Sequence, residues 1–66
     1  MDARKITEYL LTEIRESSAS HQVFILSGRP KDHAEYQHVC GVIRGLATAE
    51  SIVRDLVQKL EQSNDD

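Results

Sequence analysis

Few side chains in this 66-residue sequence could do chemistry: one cysteine, three histidines and a scatter of carboxylates. A metal centre needs three or four of them to converge. His21, His33 and His38 are spread along the chain, and their number and spacing do not make a ligand set. His38 and Cys40 are two residues apart, which on a helix puts them on different faces, so they do not share a metal. Cys40 as a nucleophile would need a positioned base. Its place within an apolar stripe reads instead as a small buried hydrophobe. Glu13 and Glu16 read as a solvated helix face, since acid–base work needs a pocket that so short a chain hardly offers. No Ser-His-Asp order, P-loop or G-x-G-x-x-G is present. The expectation is therefore a protein that is not an enzyme, with no catalytic residue, metal, cofactor or small-molecule substrate.

The elements that position these groups are set by size and pattern. A chain near this length buries only about 60% of its unfolded surface, so its core is thin. A single cysteine excludes an internal disulfide and a cysteine-rich zinc site. Regular helix packing or oligomerisation is left to stabilise it. The net charge is −3, which excludes a strongly basic nucleic-acid wrapper. The longest apolar run, Val23-Phe24-Ile25-Leu26, is far too short to cross a membrane. No apolar segment follows the basic start, so an intracellular location is expected.

The pattern predicts an all-α, two-helix antiparallel hairpin forming one domain. Ala3, Ile6, Leu10 and Ile14 recur at helical steps behind Asp2 as N-cap, giving a short helix over about 2–17. The run of serines from Ser17 then breaks the period. Val23, Phe24, Ile25 and Leu26 form a β-favouring run bounded by Ser27-Gly28 and Arg29-Pro30, read as an extended connector or a strand for pairing with a partner. Asp32 and Glu35 make an Asp variant of the capping box and open a long helix over about 33–61. Residues 62–66 are expected to fray as an acidic tail.

The long helix carries the functional reading. With Tyr36 at heptad position a, the d positions are Val39, Leu46, Val53 and Leu60. The a positions are Tyr36, Ile43, Glu50 and Val57, interrupted once by Glu50. A second stripe runs through Val42, Ala49, Ile52 and Leu56. Two adjoining apolar faces call for two partners, and a first helix of half the length cannot cover both. Gly41, Gly45 and Ala49 lie four apart, and each Gly in a helix costs about 1 kcal/mol relative to Ala. Either these glycines face solvent or they admit a close helix crossing or partner surface. The expected protein interface is Gly41, Ile43, Gly45, Leu46, Ala49, Ile52, Val53, Leu56, Val57 and Leu60. Residues 21–46 carry a net +1 and residues 47–66 a net −3, from the charged residues of each stretch. Arg29, Lys31 and Arg44 are the candidates for contact with a phosphate or an acidic partner.

The stretch Tyr36-Gln37-His38-Val39-Cys40-Gly41-Val42-Ile43-Arg44-Gly45-Leu46, with the helix that follows, resembles small proteins encoded by tailed bacteriophages. Those proteins combine a short first helix, a brief connector and a long helix with a Gly-x-Ile-Arg-Gly-Leu-like centre. The resemblance spans about half the chain and assigns no functional residue. It implies a non-catalytic virion or morphogenesis component, found in the host cytoplasm and the virion, that oligomerises or docks on a larger structural protein. Neither nucleic acid nor a membrane is the expected partner. The alternative is a small regulator, either a helical dimer on nucleic acid or an inhibitor of a host enzyme.

Overall fold

The computed structural model describes residues 2–64 and is 89% helical. Two antiparallel helices, α1 (Ala3–Leu26) and α2 (His33–Asn64), lie side by side. Among the described residues there is no strand.

α1 starts where the Asp2 carboxylate accepts from the Lys5 amide at 2.9 Å, satisfying one of the donors left over at a helix start. α1 is 24 residues long, not the short helix of the sequence reading, and Val23, Phe24, Ile25 and Leu26 are its last turn rather than a strand. Two links inside the serine-rich stretch accompany the continuation: His21 Nδ1 lies 2.7 Å from the Ser17 carbonyl, and Gln22 donates to Ser18 Oγ at 3.1 Å. The β preference of Val-Phe-Ile-Leu is worth little beside packing against a neighbouring helix. The helix stops at Ser27, whose amide still bonds the Val23 carbonyl while its hydroxyl donates to Phe24 O at 2.9 Å. Gly28 then takes φ +75°, a conformation that Gly adopts without the steric penalty of a Cβ. Pro30 follows, and its ring disfavours a helical conformation at Arg29.

α2 opens as the sequence reading expects. Asp32 Oδ1 accepts from the Glu35 amide at 2.8 Å. The helix continues through Asn64, so residues 62–64 are helical rather than frayed. Asp65 and Asp66 lie outside the described residues. At 1.5 Å per residue the helices are about 36 and 48 Å long, so α1 spans three quarters of α2 rather than half.

The seam between the helices follows a heptad on both sides. From α2 it takes Val39, Ile43, Leu46, Glu50, Val53, Val57 and Leu60, all buried or half-buried. From α1 it takes Thr7, Leu11, Ile14, Ser18, His21 and Ile25 at alternating steps of four and three. The expected stripe of Ala3, Ile6 and Leu10 is exposed, and only Ile14 of that set faces α2. The core is slight. Val39 is the one buried hydrophobe among the described residues, and Thr7, whose hydroxyl donates to Arg4 O at 2.9 Å, is the one buried polar residue.

Candidate interaction surface

Successive residues turn 100° about a helix, so each seam divides its helix into two flanks. In an antiparallel pair, the residues preceding the seam in this rotation fall on the same side of the hairpin for both helices. That side carries Ile6, Leu10, Glu13, Ser17 and Phe24 from α1. From α2 it carries Val42, Ala49, Ile52 and Leu56, the second stripe of the sequence reading, with Lys59 at its end. The opposite side carries Arg4, Glu8, Arg15 and Gln22 with Glu50 and Arg54. Two features agree with this handedness. Arg15 Nε and Arg54 Nε meet Glu50 Oε2 at 3.7 and 3.4 Å on the polar side. A cleft lined by Ser20, His21, Phe24 and Val39, of about 280 Å³, opens on the apolar side near the turn.

The described residues leave the apolar side uncovered. Ile6 is 45% exposed, Leu10 41%, Ile52 64% and Leu56 46%. Burial of such groups is worth roughly 25 cal/mol per Å²; left open they form a contiguous apolar patch of the kind that marks an interaction site.

The expected interface residues divide accordingly. Ile43, Leu46, Val53, Val57 and Leu60 are half-buried in the seam with α1 and are not free for another partner. Ala49 is half-buried at the edge of the apolar side, where Ile52 and Leu56 are open. Gly41 and Gly45 are exposed, and a Cβ built on either meets nothing within 4 Å. Within the chain they make no close crossing, because α1 packs on the opposite face of α2. Val23 and Leu26 are exposed and helical, so Val23, Phe24, Ile25 and Leu26 offer no strand edge. Cys40 is half-buried beside the seam rather than fully buried within it.

Arg29, Lys31 and Arg44 do not gather into one site. Lys31 Nζ reaches Glu35 Oε2 at 3.9 Å. Arg44 sits about 17 Å along α2 from its first residue. Charge is nonetheless divided along the hairpin. Toward the turn, beyond the paired Arg15 and Glu50, Arg29, Lys31 and Arg44 balance Glu16, Asp32 and Glu35. Toward the open end, beyond the same pair, the described carboxylates of Asp2, Glu8, Glu13, Asp55 and Glu61 exceed Arg4, Lys5, Arg54 and Lys59 by one.

Sequence reading missed the α1 half of this surface. The signal was present: the spacing Thr7, Leu11, Ile14, Ser18, His21, Ile25 becomes visible once polar residues are admitted to a seam, and it moves Ile6 and Leu10 to the flank.

The chain matches no protein-family model, no curated protein and no solved structure.

Proposed function

We propose that this protein is a non-catalytic assembly module that works by packing the apolar side of its hairpin against another protein surface. The observation that carries the reading is the exposure of Ile6, Leu10, Ile52 and Leu56 on one side of the hairpin, away from the Arg15, Glu50 and Arg54 cluster. A helix pair with so little buried core gains stability by covering such a side. The likeness of Tyr36–Leu46 to small tailed-phage proteins supplies the setting: a virion or morphogenesis component in an infected cell, acting through contact with copies of itself or a larger structural protein.

The test is chemical cross-linking followed by purification of the chain at its native level from its source cells. The reading expects a defined protein, a copy or a larger component, joined through residues of the apolar side. Recovery of the chain alone and monomeric would contradict it. Nucleic acid recovered in its place, with retention lost on Arg29→Ala plus Lys31→Ala, would favour the regulatory alternative.

A further inference from the structure

We propose that the occupant of the apolar side is a second copy of this chain, laid antiparallel to the first so that two hairpins close into a four-helix bundle. This rests on the assembly reading above and names its partner.

The first support is surface area. A compact monomer of this mass, 7.5 kDa, has about 4,250 Å² of accessible surface. This chain exposes 5256 Å². The excess, about 1,000 Å², is close to the roughly 800 Å² that each partner buries in a standard stable interface. Shape agrees with area. The radius of gyration is 15.4 Å and the extents are 52 × 17 × 14 Å, where a compact domain of this length has a radius of about 11 Å. The hairpin is a slab one helix thick, and a second slab on its apolar side would give each α-helix the two neighbours of a bundle.

The second support is self-complementarity, which a twofold interface demands. The open apolar ridge of Leu10, Ile52 and Leu56 lies about 5–11 Å to one side of the hairpin's midpoint, and the cleft lined by Phe24 and Val39 about 14 Å to the other. An antiparallel twofold sets the ridge of each copy over the cleft of its mate. A parallel twofold sets ridge on ridge and leaves both clefts empty. Charge favours the same choice. Antiparallel packing sets the neutral turn end over the open end, net −1, whereas parallel packing stacks the two acidic ends.

Light scattering on the purified full chain, with a distance measurement, decides this. The wild type is expected at twice its chain mass at micromolar concentration. Leu56→Asp is expected to weaken association at least tenfold, while Ala47→Glu on the polar side leaves the doubled mass unchanged. Because a dissociated chain can lose its helices along with its mate, orientation is read separately on an intact dimer. Nitroxide labels on Lys31→Cys in a Cys40→Ser background are expected about 40–50 Å apart if the copies are antiparallel, and within about 25 Å if parallel, given helices rising 1.5 Å per residue. A helical monomer at 100-fold higher concentration, a trimer or larger ring, or the short label distance each overturns the proposal. If such a monomer is nonetheless joined to a different protein in source cells, the assembly reading stands and the second copy is removed.

Discussion

Arg15 of α1 and Glu50 of α2 face each other across the hairpin, Nε to Oε2 at 3.7 Å, and Arg54 closes on the same carboxylate at 3.4 Å. Glu50 is the residue that interrupts the apolar a positions of the long helix. Its carboxylate escapes burial by leaning to the polar flank, where two guanidinium groups receive it. That lean marks which side of the hairpin is wet, and the contact reports the register of the antiparallel pair.

The Arg15–Glu50 pair should therefore couple, though weakly, because the arginine side chains are 53% and 63% exposed. A double-mutant cycle of Arg15→Ala and Glu50→Ala is expected to give about 0.2–1 kcal/mol at low salt, falling toward zero in 1 M salt. A repulsive coupling at low salt, or one that grows with salt, would contradict the pairing.

The seam predicts a contrast between two apolar residues. Val39 is 7% exposed and Leu26 85%. Val39→Ala should cost about 1–2 kcal/mol in chemical denaturation, the transfer and cavity terms together. Leu26→Ala should change stability by less than about 0.5 kcal/mol. Equal costs would contradict the placement of the two side chains.

The turn depends on one backbone geometry. Gly28 adopts φ +75° with nothing within 4 Å of a Cβ position, so the penalty of a side chain there is conformational rather than steric contact. Gly28→Ala is expected to cost about 1 kcal/mol, a fall in thermal midpoint of about 4–8 °C. Gly28→Asn should cost less, since Asn tolerates the left-handed region.

Gly41 gives the opposite sign. It sits inside α2, exposed, with open space around a Cβ. Gly41→Ala should stabilise by about 0.5–1 kcal/mol through helix propensity alone. A loss of stability would show a backbone in close approach that the hairpin itself does not supply.

Legibility in the sequence tracked how apolar each seam is. α2 announced itself through Val39, Ile43, Leu46, Val53, Val57 and Leu60 and through the Asp32 cap, and its second stripe of Ile52 and Leu56 is the side left open. α1 concealed its second half. Its seam uses Thr7, Ser18 and His21, polar residues that a hydrophobic count passes over. Ile6 and Leu10, which the count selected, lie on the flank instead. Val23 to Leu26 combine β-branched and aromatic types with a strand-like length, and only the neighbouring helix decides between strand and helix for such a run. Misplacing the α1 stripe also hid the fact that both helices contribute to one apolar side.

The central claim is that this side is an association surface for a second copy. Its most direct test is the thermal midpoint, followed by circular dichroism, over a hundredfold range of chain concentration. Mass action on a folded dimer requires the midpoint to rise with concentration. A midpoint that stays constant over the whole range would contradict the claim.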